Sequence, residues 1–199
     1  MATDLTIVLA SRSPRRVELL HRLVSDFIVM PADLDETPHP QEDPVAYVQR
    51  LALQKARAVY LASAATSVVV GADTTVDLNG DILGQPIDDD DARRMLQLLS
   101  GTTHRVHTGV AVVSNRGEQV KVVSSDVTFM PISPQMLAWY IGTGESAGKA
   151  GSYAIQGHGS ALVASSTGSM SNIVGLPLAE TATLLASTGV EVAPSAHEI

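Results

Sequence analysis

Apolar positions along this chain switch repeatedly between a two-residue and a 3.6-residue period, and the switches lay out an α/β order of elements. The run Thr6–Ala10 reads as a buried strand. Ser13 then suits a helix N-cap and Pro14 the first helical position, with Leu19, Leu20 and Leu23 on one apolar face. Phe27-Ile28-Val29-Met30 reads as a second strand, and residues 31–44 as an acidic, proline-broken loop carrying Asp33, Asp35, Glu36, Glu42 and Asp43. Asp43-Pro44 opens a helix in which Val48, Leu51, Ala52, Lys55 and Val59 share a face.

Val68–Asp73 is a buried-strand pattern that ends in a carboxylate. A hairpin follows, 75–78 against 81–84, joined by Asn79-Gly80. Asp88 opens the next helix, with Ala92, Met95, Leu96 and Leu99 inward. Residues 105–130 turn to β, with a turn at Asn115-Arg116-Gly117 and separate runs at 120–123 and 126–129. Ser133-Pro134 starts a helix that Gly142 and Gly144 stop. Residues 161–163 and 173–175 read as a closing hairpin turning near Gly168-Ser169, before a last helix from Pro177 to about Ser187. The expectation is one domain over residues 1–199, built as two lobes, with a flexible tail from about residue 190.

A chain of 199 residues with 45% hydrophobic and 17% charged positions has material for a full core, which excludes a disordered class. Its net charge of −8 argues against a nucleic-acid polymer as partner, because phosphate-backbone binding needs a broad basic surface. There is no cysteine, hence no thiolate nucleophile or zinc–thiolate site. No apolar run approaches the ~20 residues of a membrane span, so a cytoplasmic protein without a membrane partner is expected.

Against this acidic background Arg12, Arg15, Arg16 and Arg22 crowd into and around one helix. Arg15 and Arg16 fall in its first turn, where the macrodipole disfavours cations by roughly 0.3–1 kcal/mol each. Either they are solvated surface charges, or Ser11, Ser13, free backbone N–H groups and the guanidiniums form a phosphate cradle. Lys55 interrupts an apolar stripe; it either snorkels to solvent, the ordinary outcome, or points into a cleft that needs a cation. Asp73 sits where open α/β sheets bind ligands, just beyond a strand's carboxyl end. The run Asp88–Asp91 reads as a helix cap and its dipole complement, and His104 and His107 point to opposite faces of a strand. Cations for phosphates, a carboxylate for a metal or water and an amide for a base edge describe a nucleoside polyphosphate site.

Several ordered motifs resemble one family. They are Leu9-Ala10-Ser11 with Ser13-Pro14-Arg15-Arg16, Gly71-Ala72-Asp73-Thr74, Leu99-Ser100-Gly101 with His104, Ala150-Gly151-Ser152-Tyr153 with Ile155-Gln156-Gly157, and Val174-Gly175-Leu176-Pro177-Leu178. Through them the chain resembles the Maf nucleoside triphosphate pyrophosphatases, relatives in fold of the inosine-triphosphate pyrophosphatases. The resemblance implies an elongated, twisted mixed β-sheet flanked by helices, with the active site in the cleft between two lobes. It implies hydrolysis of a nucleoside triphosphate to the monophosphate and diphosphate with a divalent cation, Mg2+ or Mn2+. Asp73 matches the proton acceptor, and Glu36 would hold metal or water with it. Arg16, Lys55 and Lys149 would neutralise phosphates, while Arg15, Thr74 and Gln156 match positions that accompany a preference for dTTP and UTP. Where the pattern has lysine before proline this chain has Gln85-Pro86, which removes a cation expected near the phosphates. A homodimer and a part in arrest of septum formation are also implied, as is the alternative of a nucleotide-binding division regulator with weak or no hydrolysis.

Overall fold

Local signals set most element boundaries in the computed structural model, which describes residues 5–193. Ser13 caps α1 (Pro14–His21) and Asp43 caps α2 (Pro44–Leu61), each followed by the proline that pre-sets the first turn. Asp88 caps α3 (Asp89–Leu99) and Ser133 caps α4 (Pro134–Gly142). Asn79 and Gly80 both take positive φ, the conformation a two-residue hairpin turn requires.

The strands are β1 (Thr6–Ala10), β2 (Ile28–Val29), β3 (Ser67–Leu78), β4 (Asp81–Leu83), β5 (Thr103–Ser114), β6 (Gly117–Phe129) and β7 (Val163–Thr167). They form one mixed sheet in the order β2-β1-β3-β5-β6-β7, with β4 on β3. β2, β1 and β3 run parallel, and the remaining pairings are antiparallel.

Alternation along β3 and β5 sends successive side chains to opposite faces. Val69, Ala111 and Val113 meet Ala52, Ala56 and Val59 of α2. On the other face Val70, Ala72, Val110 and Val112 meet α1 and the last helix, α6 (Leu178–Ser187), forming one lobe. Farther along that face Val76, Val106, Val127 and Phe129 meet α3 and α4, forming the second lobe. Between the two apolar patches the row changes to Thr74 and Thr108, paired across the strands with their hydroxyls 2.9 Å apart. The lobes therefore meet at a polar seam.

Three expectations change. β3 does not stop at Asp73: it pairs with β5 from Val69 to Asp77, so Asp73 lies mid-strand. The runs 120–123 and 126–129 are one strand, β6, because β5 offers an unbroken ladder from Thr103 to Ser114. Residues 161–163 and 173–175 do not form a hairpin. Val163–Thr167 pairs with β6, and Ser169, accepting from the Asn172 N–H, caps a short helix α5 (Met170–Val174) instead. Of the tail expected from residue 190, Val190 is buried and Ala193 N–H donates to the Leu23 carbonyl. Residues 194–199 lie outside the described residues. No described helix is long and apolar enough to cross a membrane.

Candidate active site

β3 is unpaired on one edge over a few residues. β1 pairs with it only as far as Gly71, and β4 joins the same edge only from Val76. Through this gap Asp73, on the α2 face, and Thr74, on the opposite face, both reach a cleft of about 950 Å3. Ser11, Arg15, Arg16, Glu36, Lys55, Asp73, Thr74, Gln85, Lys149 and Gln156, the residues singled out from sequence, all line it.

Lys55 is 7% exposed and does not snorkel. Its Nζ lies 2.7 Å from Asp73 Oδ1 and 2.8 Å from Glu36 Oε1, so one ammonium bridges the two carboxylates. The bridge depends on how closely α2 approaches the sheet. A Cβ on Gly71 would overlap the Ala52 carbonyl oxygen and the Ala56 amide, and one on Gly109 would overlap the Val48 carbonyl. Without side chains at these two positions, α2 lies directly on β3 and β5 and delivers Lys55 beside Asp73. Tyr47, two turns earlier on α2, donates its hydroxyl to the Glu36 carbonyl at 3.0 Å and ties down the acidic loop. Burial pushes the Asp73 carboxyl above the usual carboxylate range, with Lys55 and Arg16 pulling it back.

Arg16 is held on three sides. Its Nε donates to the Gly175 carbonyl at 2.8 Å, and its two terminal nitrogens donate to Ser11 Oγ at 3.3 Å and Thr74 Oγ1 at 3.0 Å. Arg15 Nε donates to the Val174 carbonyl at 3.4 Å. The charges that α1's first turn disfavours are thus partly compensated by carbonyls at the end of α5, so they are neither solvated surface arginines nor groups that wait wholly on a ligand. Burial lowers the pKa of Arg16, with Asp73 acting against it.

The second lobe supplies the facing wall. Gly151 N–H donates to the Gly84 carbonyl, which ties the segment that follows β4 and carries Gln85 to the 149–152 turn. Gly151, at φ 65°, lies so close to Val76 that a Cβ would overlap its side chain. Lys149 Nζ donates to the Ala147 carbonyl, and burial lowers its pKa, with Arg15 adding to the effect. Gln85 and Gln156 are exposed on the cleft rim.

A family profile described as Maf-like protein matches residues 6–188. The chain belongs to the Maf family. An Anaeromyxobacter sp. (strain Fw109-5) protein named dTTP/UTP pyrophosphatase is 53% identical over 188 residues, 92% of this chain and 89% of that one. A Myxococcus xanthus (strain DK1622) protein of the same name is 50% identical over 189 residues, 95% of each chain. Among solved structures, the Staphylococcus aureus Ham1 protein is similar at a TM-score of 0.46 and 18% identity, over 64% of this chain and 72% of that one.

The Maf cleft draws on residues that spacing alone does not reveal. Tyr47 is one of them, although it shares the helical face of Leu51 and Lys55 at four-residue steps. Thr108 donates to the Asn172 carbonyl at 2.9 Å, and Asn172 Nδ2 donates to the Val106 carbonyl and to Ser125 Oγ, pinning α5 to the seam. Of the acidic loop, Asp43 caps α2, Glu42 is paired with Arg50 and Asp35 accepts from the Thr37 N–H. Glu36 is the loop carboxylate that meets Lys55.

For a divalent cation the donors near Asp73 are two hard carboxylates, Asp73 and Glu36, with no group of three or more His, Cys, Asp or Glu among the described residues. Mg2+ is ordinarily held by one or two carboxylates together with waters and substrate phosphates. The set fits a cation that arrives with a polyphosphate and does not form an all-protein cage.

Proposed function

We propose that this chain hydrolyses nucleoside triphosphates between the α- and β-phosphates, releasing a nucleoside monophosphate and diphosphate, with dTTP and UTP as substrates. The observation that carries the reading is the buried Asp73 carboxylate, ion-paired to Lys55 and lining one cleft with Arg15, Arg16 and Lys149. The names of the half-identical relatives support the choice of substrates.

In this reading Asp73 accepts a proton from a water whose oxygen attacks the α-phosphorus, and the bond from that phosphorus to the bridging oxygen breaks. Diphosphate leaves with the electron pair. A carboxyl whose proton affinity is raised by burial is a stronger general base than one in the ordinary range, and Lys55 fixes its orientation. Arg15, Arg16 and Lys149 are the cations set to meet the phosphates, and Gln156 offers an amide to the base edge. Asp73 and Glu36 would hold a divalent cation, which supplies further charge neutralisation along the phosphate chain.

The test is incubation of dTTP, UTP, CTP, ATP and GTP with Mg2+ or Mn2+, with diphosphate and orthophosphate assayed separately. Diphosphate from dTTP and UTP is the expected product; orthophosphate alone would overturn the reading. Asp73→Asn should lower turnover by about 10²–10⁴-fold while dTTP still binds. Near-normal turnover in that variant would remove Asp73 from the chemistry.

A further inference from the structure

Glu145 lies outside the set of residues that face the phosphates, yet the nucleotide-facing loop of the second lobe is built around it. Its carboxylate accepts from the Gly159 N–H at 2.8 Å, the His158 N–H at 3.0 Å and the Tyr140 hydroxyl at 3.1 Å. The Tyr140 oxygen in turn accepts from the Ala154 N–H at 3.2 Å. Gly157 completes the enclosure, because a Cβ there would overlap Glu145 Oε1. Three backbone N–H groups spread over residues 154–159 are therefore gathered by one carboxylate and one phenol. Lys149, Tyr153 and Gln156 lie on the chain bracketed by Glu145 and this knot.

The charge of Glu145 also reaches the cleft. It is the largest favourable electrostatic influence on Arg15, and it acts in the same sense on Lys149. Burial pushes the Glu145 carboxyl upward, but the hydrogen bonds from Gly159, His158 and Tyr140 outweigh it, so the group is held below the usual range and stays ionised at neutral pH. The first half of the loop has anchors of its own, the Gly151 N–H on the Gly84 carbonyl and the buried Tyr153, whose hydroxyl lies 2.8 Å from His104 Nε2; the stretch beyond Tyr153, with glycines at 157 and 159, is the part that Glu145 and Tyr140 gather.

We propose that Glu145 is a positioning residue for nucleotide recognition: by gathering the 154–159 backbone and the Tyr140 hydroxyl it presents Lys149 and Gln156 to the cleft. It acts through the loop and touches neither phosphate nor base. The proposal rests on the pyrophosphatase reading for its kinetic consequences, but its binding consequences stand alone.

The experiment compares Glu145→Ala, Glu145→Asp and Tyr140→Phe with the unaltered full chain, measuring kcat and KM for dTTP and for ATP. Calorimetric titration with the non-hydrolysable α,β-imido analogue of dTTP accompanies it. Glu145→Ala should raise KM for dTTP at least tenfold with kcat changed less than about threefold, and should narrow the preference for dTTP over ATP. Tyr140→Phe should show a smaller shift in the same direction, and Glu145→Asp should recover part of the loss. A purely structural role predicts another pattern, a lower melting temperature and active fraction with KM and selectivity unmoved, and that pattern would overturn the proposal. If Glu145→Ala does not fold, the other two variants carry the same comparison. If the unaltered chain releases no diphosphate, the pyrophosphatase reading fails by itself. The titrations then still decide: weaker analogue binding in the variants supports the role of Glu145, and unchanged binding refutes it.

Discussion

Replacing Lys55 by methionine keeps the length of its apolar stem and removes the ammonium, which isolates the consequence of burying Asp73 without a partner. Asp73 is 5% exposed and Lys55 7%, so neither charge has much water to fall back on. Breaking a buried pair from one side costs about 3–5 kcal/mol. Arg16 still acts on Asp73, so the low end, about 3 kcal/mol, is the expected loss at pH 7. In a chain of this size that corresponds to a fall in melting temperature of roughly 6–12 °C. The Lys55–Glu36 contact adds little, because the Glu36 side chain is 45% exposed and screened.

The pH dependence has a definite sign. Asp73 already titrates above the usual carboxylate range in the folded protein, and without Lys55 it moves higher. The folded state then binds a proton more tightly than the unfolded chain does. Stability therefore falls as pH rises from the unfolded value through the folded one, and is flat above it. Accordingly the deficit of Lys55→Met relative to the unaltered protein should grow as pH rises and should be larger at pH 7 than at pH 5. Urea unfolding at both pH values, on Lys55→Met, Asp73→Asn and the double variant, supplies the assay. The double variant, having no buried charge at either position, should recover at least ~2 kcal/mol relative to Lys55→Met. A double variant no more stable than Lys55→Met, together with a pH-independent deficit, would refute the view that Asp73 is an ionised, buried partner of Lys55.

Two other predictions address how the site is assembled. Gly71→Ala forces α2 away from β3, because the atoms in the way are the Ala52 and Ala56 backbone; the expected cost is about 1–3 kcal/mol, with a turnover loss of ~10²-fold as Lys55 leaves Asp73. Denaturation and steady-state kinetics on this variant check it, and unaltered turnover would show that the close approach of α2 does not set the ion pair. Arg16→Lys keeps the charge but cannot span Gly175, Ser11 and Thr74 together; a loss of about 2–3 kcal/mol, a roughly 30- to 150-fold fall in kcat/KM for dTTP, is expected. A fall of less than threefold would mean that the guanidinium's fork is not used.

Legibility in the sequence followed the range of the interaction. Caps at Ser13, Asp43, Asp88 and Ser133 and the Asn79-Gly80 turn act within four residues, and each is where the local pattern puts it. Strand ends are decided by a neighbour's ladder. β3 runs through Asp73, and β6 joins two runs, because β5 offers twelve consecutive residues to pair with. The same cause hid α5: Ile173 and Val174 are β-branched, but the edge of β6 is already taken by Val163–Thr167, and Ser169 caps the helical alternative. Spacing leaves Lys55 ambiguous because its partners Asp73 and Glu36 lie 18 and 19 positions away, the first brought close by an approach of α2 to the sheet that depends on two glycines and the second by a loop tied to Tyr47. The carbonyls that receive Arg15 and Arg16 stand 159 residues downstream, beyond any spacing rule.

The Asp73 carboxylate therefore owes its place to strand lengths more than to its own surroundings. A strand paired on both edges offers only its two faces, and one of these is sealed at Gly71 and Gly109 by α2. Were β1 two or three residues longer, it would close the edge beside Asp73 and cut it off from Arg16 and the second lobe. Ser13-Pro14 ends β1's influence by starting α1 at once, which turns the chain out of the sheet and swings Arg15 and Arg16 over the opening it leaves. The same few residues thus both create the gap in β3's edge and furnish the cations that border it, so a change that extends β1 should disable the site even with every polar side chain intact.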